Sequence, residues 1–277
     1  MKTTTVAPKE ANKLHILQEY AQYGNISPAA PFTYANNDRE NMQDIISTHN
    51  LDTVVDGKND INTAIALMGW LCKRYKHGNP SSNFPASDTP QAIMESADKN
   101  NMHGNCRMLS VILAHLLRAY GIKAYHVTCM PYEYPFDDCH VVVNAYIASL
   151  AKWIMLDPSS NLYLKNSIGE IIDVAEFRTH LIAGDTLTMS THHTYTAEED
   201  WFATKHGLRT DTPINAYTDY MAKNMVRFSR SIATGYGLDS DNDCIELVPE
   251  KYMQNEASNF PPEYQVRFTT SHDDFWS

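Results

Sequence analysis

The chain has 277 residues, 43% of them hydrophobic and 20% charged, so it is long enough to bury a full core in one or two domains. Its net charge of -11, without a cluster of Lys and Arg, argues against nucleic acid or an anionic membrane as the main partner. No apolar run could span a bilayer and none follows Lys2 as in a signal peptide, so we expect a cytoplasmic protein, or a secreted one if a leader was removed.

The number and spacing of the cysteines limit which disulfide and metal sites the chain could have. The chain has five cysteines, an odd number, and no CxxC pair: Cys72, Cys106, Cys129, Cys139 and Cys244. This argues against a disulfide scaffold or a four-cysteine zinc site. We therefore expect free thiols in a reducing compartment, with no metal and no cofactor.

The first half of the chain predicts three helices after a polar N-terminal segment. Residues 1–50 are predicted to be a partly helical lead-in, with a short helix near Leu14 to Tyr20. Asp60 is predicted to cap a helix that runs to about Tyr75, because apolar residues recur there at helical spacing. Thr89 is predicted to cap the next helix, which has Pro90 in its first turn and runs to about Ala97.

The third helix has the clearest pattern in the chain. Its apolar residues form pairs four positions apart, at Met108, Leu109, Ile112, Leu113, Leu116 and Leu117. Asn105 is its predicted N-cap and Gly121 its stop. The wide apolar face predicts a central, buried helix.

Strands follow this helix. The β-branched and alternating segments 124–130, 141–147 and 153–156 predict three strands, the last two joined by a tight turn at Ser149 and Leu150. Beyond Asn161 the pattern weakens and predicts a helix over 174–181, a helix or mixed segment over 216–229, and late strands at 245–249 and 265–269. The order predicts one α+β domain over 51–277, with a catalytic core over about 61–183.

Cys106 lies where a cysteine can be chemically active. The free N–H groups and the dipole at a helix start stabilise a thiolate there, and they can also bind an oxyanion. The neighbouring Arg107 is expected to add positive charge. The alternative is that Cys106 is simply a small core residue.

His140 and Asp157 are candidates for the partners of Cys106. If Ser149 and Leu150 form a two-residue loop, Asp157 lies opposite Val142, on the face that His140 shares. A register shift of one residue would separate them. The alternatives are an ordinary histidine, one of 12 in the chain, and an Asp-Pro turn starter.

Three sequence motifs resemble the transglutaminase-like superfamily. They are Gly104-Asn105-Cys106 continuing through LSVILAHLLRAYGIKAYHV, the strand DCHVVVNAYI and the strand KWIMLDPSSN; ALMGWLCKRYKHG and, more weakly, YMAKNMVRFS and DDFW resemble bacterial members. The resemblance implies a papain-like α+β core, with a cysteine-bearing helix packed on an antiparallel sheet. It also implies that Cys106 is the nucleophile, His140 the general base and Asp157 the residue that orients the histidine.

The sequence departs from the family at one position and leaves another open. Val142 stands where many members have an aromatic residue, two positions after the histidine. The side chain that would help to bind the oxyanion is not identified, and the candidates are Trp70, Asn105 and His103. A zinc set of His103, Cys106, Cys139 and His140 is disfavoured, since adjacent strand residues point to opposite faces.

The resemblance implies acyl transfer on a peptide, protein or small amide, with hydrolysis preferred over cross-linking. The alternative is a non-catalytic binding or scaffold protein on the same fold, and a weaker one is a metal-dependent hydrolase.

Overall fold

The computed structural model describes residues 13–27, 31–34, 38–80, 82–195, 211–237, 243–256 and 266–277. The elements of the first half are α1 (Lys13–Glu19), β1 (Thr33–Tyr34), α2 (Asp38–Asn41), α3 (Gln43–Thr48), α4 (Leu51–Val54), α5 (Asp60–Arg74), β2 (Lys76–His77), α6 (Pro90–Lys99), β3 (His103–Gly104) and α7 (Cys106–Ala119). Those of the second half are β4 (Ala124–Met130), β5 (His140–Ile147), β6 (Lys152–Leu156), β7 (Leu164–Lys165), α8 (Val174–Ala183), β8 (Thr188–Met189), α9 (Pro213–Asn224), β9 (Arg227–Ser231), β10 (Ala233–Thr234), β11 (Cys244–Leu247), α10 (Glu250–Glu256), β12 (Arg267–Thr269) and α11 (His272–Trp276).

A six-stranded sheet organises the fold. Its strand order is β12-β11-β9-β4-β5-β6, and all neighbours are antiparallel except β11 and β12. The predicted α+β class is confirmed, as are the helices α5, α6 and α7 and the three strands that follow them.

The two faces of the sheet bury different hydrophobic clusters. Val142 and Met155 belong to the first cluster, together with apolar residues of α1, α8 and α9. Val143 and Ile154 belong to the second cluster, together with α5, α6 and α7. Because successive side chains in a strand alternate between faces, the sheet separates two helical layers.

The predicted caps hold at two helices and fail at one. Thr89 and Asn105 accept hydrogen bonds from the backbone of α6 and α7, as predicted. At α5 the cap is Asn59, not Asp60. The Asp60 carboxylate instead accepts a hydrogen bond from the backbone N–H of Ser149, at 2.8 Å, and so ties α5 to the β5–β6 turn.

That turn sets the register on which the site depends. A single 3-10 turn spans residues 148–150, and Ala151 has a left-handed backbone, with φ 50°. Val143 pairs with Leu156, so Asp157 follows on opposite Val142. The predicted register is therefore confirmed.

The segment 216–229 is not one element. It contains the helix α9 and then the start of β9, a strand between β4 and β11. Arg227 and Arg230 are buried on this strand. Arg227 pairs with the buried Glu246 at 3.1 Å, and Arg230 lies over the Tyr125 ring at 3.5 Å. Because these two buried residues are charged, the hydrophobic pattern of the sequence did not predict the strand.

The described part of residues 1–50 is packed into both layers. Leu17 of α1 is fully buried in the first cluster, and Met42 and Ile46 are buried in the second. Residues 1–12 of the predicted lead-in lie outside the described part, as does residue 265 of the last predicted strand. The domain boundary at residue 50 stays a prediction.

Candidate active site

Cys106 is the first residue of α7. Asn105 has extended backbone angles, φ -75° and ψ 172°, and its Oδ1 accepts a hydrogen bond from the N–H of Met108 at 2.9 Å. This cap fixes the start of the helix, where the first N–H groups have no partner within the helix. The partly buried thiol of Cys106 therefore sits at the positive end of the helix dipole.

His140 and Asp157 form a buried pair beside this thiol. His140 Nε2 lies 2.7 Å from Asp157 Oδ2, and the two side chains are 6% and 0% exposed. His140 pairs with Cys129 of the first cluster, so its imidazole lies on that face of the sheet. Its contact with Asp157 through Nε2 leaves Nδ1 for the hydrogen bond between His140 and the Cys106 thiol.

The electrostatics of the site favour a thiolate. Burial, the largest influence, raises the pKa of Cys106, but the hydrogen bonds and charges of His140 and His77 outweigh it and lower the pKa to about 6. Burial lowers the pKa of His140, and Asp157 and Cys106 together raise it well above its ordinary value. Near neutral pH the site is therefore a thiolate–imidazolium pair.

The Asp157 carboxylate has two further donors. The Tyr217 hydroxyl donates to Oδ2 at 2.9 Å, and the Ser159 backbone N–H donates to Oδ1 at 2.9 Å. Burial raises the pKa of Asp157, but the charge and hydrogen bond of His140, followed by these two donors, lower it overall. The carboxylate is thus held ionised and in one orientation.

Helix α9 supplies both Tyr217 and a wall for the imidazole. The Tyr220 ring packs edge-on against His140, with centroids 5.4 Å apart. Sequence reasoning found neither tyrosine, because both lie some 60 residues beyond Asp157 and only the packing of α9 brings them to the site. The apolar spacing of α9 itself was the available signal.

His77 is a second residue that the sequence reasoning missed. Its side chain hydrogen-bonds to Cys106 from the neighbouring strand of the short parallel β2–β3 pair, in which His77 is the partner of Gly104. A two-residue exposed strand has no hydrophobic period, so nothing in the pattern distinguished this histidine from the other eleven.

The three predicted oxyanion candidates have other partners. Asn105 uses its Oδ1 as the helix cap, and His103 Nδ1 lies 2.8 Å from the carbonyl oxygen of Asn101. Trp70 packs on His49, with centroids 5.3 Å apart, and lines a groove of about 640 Å³. None of Cys106, His140 and Asp157 lines that groove.

The guanidinium of Arg107 lies 3.5 Å from His126 Nε2 and 3.9 Å from Asp88, and Arg107 is not among the main influences on the pKa of Cys106. The main causes that lower this pKa are the two histidines, His140 and His77. Among the described residues, no three His, Cys, Asp or Glu side chains are grouped so as to hold a metal ion, and no helix is long and apolar enough to cross a membrane.

The arrangement of a cysteine at a helix start, facing a His–Asp pair on an antiparallel sheet, is that of the papain-like class of folds. Residues 49–158, which contain all three side chains, match the family model of the transglutaminase-like superfamily. No curated protein matches the chain.

Two solved structures resemble the chain over part of its length. One is described as a candidate cysteine protease from Cytophaga hutchinsonii; it is 17% identical, covers 58% of this chain and 51% of its own, and has a TM-score of 0.34. The other is described as a candidate protease from Parabacteroides distasonis; it is 12% identical, covers 62% of this chain and 35% of its own, and has a TM-score of 0.28. The chain thus spans 51% of the first structure and 35% of the second.

Proposed function

We propose that this protein is a cysteine-dependent acyl-transfer enzyme that acts on an amide or peptide carbonyl through an acyl-enzyme on Cys106. The observation that supports the proposal is the buried His140–Asp157 pair at 2.7 Å, hydrogen-bonded to a thiol whose pKa is lowered to about 6. A thiolate beside an imidazolium is the resting state that nucleophilic catalysis by cysteine needs.

In the proposed reaction the Cys106 thiolate attacks the carbonyl carbon and forms the S–C bond, while the carbonyl π electrons move to oxygen. The oxyanion collapses, the C–N bond breaks, and the leaving amine takes the proton of His140. Water then attacks the thioester carbon and gives a proton to His140. The C–S bond breaks, the carboxylic acid leaves, and the Cys106 thiolate and protonated His140 are restored. Asp157 keeps the imidazole oriented throughout.

Hydrolysis is preferred over transfer to an amine. Water needs no binding site of its own, whereas an amine acceptor must be bound beside the acyl-enzyme. The proposed substrates are peptides, proteins or small amides. Since all five cysteines are free thiols, we place the reaction in a reducing compartment such as the cytoplasm.

The test compares the unmodified protein with Cys106→Ala and with Cys72→Ala, a matched control. Cys72 is a mostly buried thiol that donates to the carbonyl of Pro158, and burial raises its pKa to about 12. Each protein is incubated with glutamine-containing and peptide libraries, with and without an amine donor, and the products are identified by mass spectrometry.

We expect peptide cleavage or loss of ammonia that disappears in Cys106→Ala and persists in Cys72→Ala. If the main product contained the added amine, the reaction would be acyl transfer to an amine and not hydrolysis. If no product in any arm depends on Cys106, the enzyme proposal is wrong and a binding role on this fold takes its place.

A further inference from the structure

The sulfur of Cys106 has two imidazole partners, not one. His140 approaches from β5, and its Nε2 is held by Asp157. His77 approaches from β2, both residues of which are exposed to solvent. The proposed acyl transfer gives a role to the first imidazole and leaves the second without one.

Backbone pairing fixes where His77 stands. The N–H of Lys76 donates to Met102 at 2.9 Å and the N–H of Gly78 donates to Gly104 at 3.0 Å, which makes His77 the direct partner of Gly104. Paired residues of neighbouring strands point to the same side of a sheet.

That side faces the start of α7. A methyl group on Gly104 would lie 3.3 Å from Leu109 Cδ2 and 3.5 Å from Met108 Cβ. The pairing thus places His77 beside Gly104, two positions before Cys106 at the start of the helix. This explains how a histidine 29 positions earlier in the sequence contacts Cys106.

In acyl transfer, a hydrogen-bond donor close to the thiol can stabilise the oxyanion. When the thiolate attacks a carbonyl, negative charge leaves the sulfur and appears on an oxygen bound to the same carbon. The free N–H of Cys106 at the helix start is one donor for that oxygen. A second donor must lie close to the sulfur without being the general base.

We propose that His77 is a catalytic residue whose imidazole N–H binds the oxyanion formed during attack by Cys106, as the second donor beside the backbone N–H of Cys106. This inference rests on the proposed acyl-transfer function. The hydrogen bond that His77 makes with the sulfur in the free protein passes to the oxyanion as the charge moves.

Two reactions of Cys106 separate this role from simple activation of the thiol. Iodoacetamide alkylates a thiolate without forming an oxyanion. Acylation by p-nitrophenyl acetate needs the same thiolate and passes through an oxyanion, and it releases p-nitrophenolate in a measurable burst. The ratio of the acylation rate to the alkylation rate at Cys106 therefore reports oxyanion stabilisation alone.

The variants are His77→Ala, His77→Gln and His103→Ala. In His77→Ala we expect this ratio to fall about 10²- to 10³-fold, the usual cost of removing one oxyanion donor. His77→Gln keeps an N–H donor, so most of the ratio should return. His103→Ala removes the imidazole of the paired strand, which bonds to Asn101, and should leave the ratio unchanged.

Two failures can be told apart. If the unmodified protein is acylated at Cys106 no faster than at Cys72 or Cys244, the proposed function is wrong and the role of His77 is wrong with it. If the unmodified protein is acylated at Cys106 but His77→Ala has an unchanged ratio, only the role of His77 is overturned. Alkylation of Cys106 in each variant, with its thermal melt, shows that the site is folded.

Discussion

The two helical layers of this protein differ in what they give to the site. The layer of α5, α6 and α7 provides Cys106, the proposed nucleophile. The opposite layer provides no reacting atom in the proposed mechanism, but Tyr217 and Tyr220 of α9 hold Asp157 and pack against His140. The family match ends at residue 158, before α8 and α9 of this opposite layer begin. The motifs thus specify the proposed reacting groups, whereas the later helix α9 keeps two of them in place.

The sharpest test of this comparison is removal of the base between the layers. We expect His140→Ala to lower the rate of Cys106 acylation by about 10²- to 10⁴-fold, the usual contribution of a general base. The pKa of Cys106 should also rise above about 6, because its first hydrogen-bond partner is gone. The rate is measured from the p-nitrophenolate burst.

The matched control for that variant is His180→Ala. His180 also pairs with an aspartate, Asp185, at 2.8 Å, but at the protein surface. It should leave the rate unchanged. Equal losses in the two variants would mean that the buried pair has no special role.

The next effect concerns the reactivity at pH 7 of two thiols in the layer of α5, α6 and α7. Cys106, with a pKa of about 6, is mainly thiolate, whereas burial raises the pKa of Cys72 to about 12. The lower intrinsic reactivity of a less basic thiolate offsets part of this difference, so iodoacetamide should modify Cys106 roughly a hundredfold faster.

The rate of that alkylation should rise with pH until Cys106 is fully ionised. Because the pKa of Cys106 is lowered, its alkylation should stay near its plateau above pH 6 and slow about tenfold per unit below it. Peptide mapping by mass spectrometry measures both thiols in one sample. A Cys106 rate that still rises between pH 8 and 9 would contradict the thiolate–imidazolium pair.

A smaller effect tests the contribution of α9, in the layer opposite α7. Tyr217→Phe removes the donor to Asp157 Oδ2 but keeps the ring, which stacks on Phe177 with centroids 6.1 Å apart. We expect acylation to slow about tenfold, the equivalent of one charge-assisted hydrogen bond. Alkylation should change less, because the thiolate remains.

Tyr146→Phe is the control for Tyr217→Phe, since Tyr146 packs on Trp153 in the β5–β6 hairpin. It should behave like the unmodified protein. If the acylation rate of Tyr217→Phe were also unchanged, the layer that contains α9 would contribute packing only.

The smallest effect concerns the start of α7. Asn105→Ala removes the cap and should lower the free energy of unfolding by about 1 kcal/mol, within a usual range of about 0.5–2. Asn105→Asp keeps the capping oxygen and should retain that stability, but its negative charge beside the thiol should raise the Cys106 pKa. Urea unfolding and the alkylation pH profile measure the two quantities.

Thr89→Ala is the matched cap variant, at the start of α6. We expect it to lose similar stability without a change in the Cys106 pKa. A pKa change there equal to that of Asn105→Asp would show that the effect is not local to the thiol.

Local chemistry made much of this structure predictable. Helix α7 has an uninterrupted apolar face and its own cap, so neighbouring residues decide it. The register of β5 and β6 follows from the short turn between them, because a turn of fixed length leaves one way to pair the strands. The position of Asp157 opposite Val142 could therefore be predicted from the sequence.

The remainder depends on contacts between distant parts of the chain. Tyr217 meets Asp157 across 60 residues, and its hydroxyl leaves no signal in a hydrophobic pattern. His77 reaches Cys106 only because β2 pairs with β3. Strand β9 carries Arg227, whose burial is compatible with a sheet only once Glu246 on β11 is beside it. Each of these facts exists only after the sheet has formed.

The separation of the two hydrophobic clusters by the sheet has a consequence for when the protein becomes reactive. The thiol belongs to a helix of one cluster, and the imidazole lies on the face of the other. A chain in which only one layer has condensed holds a cysteine with an ordinary pKa and no base beside it. The activated thiolate is therefore a property of the completed fold, and a nascent or partly unfolded chain has only an ordinary thiol at Cys106.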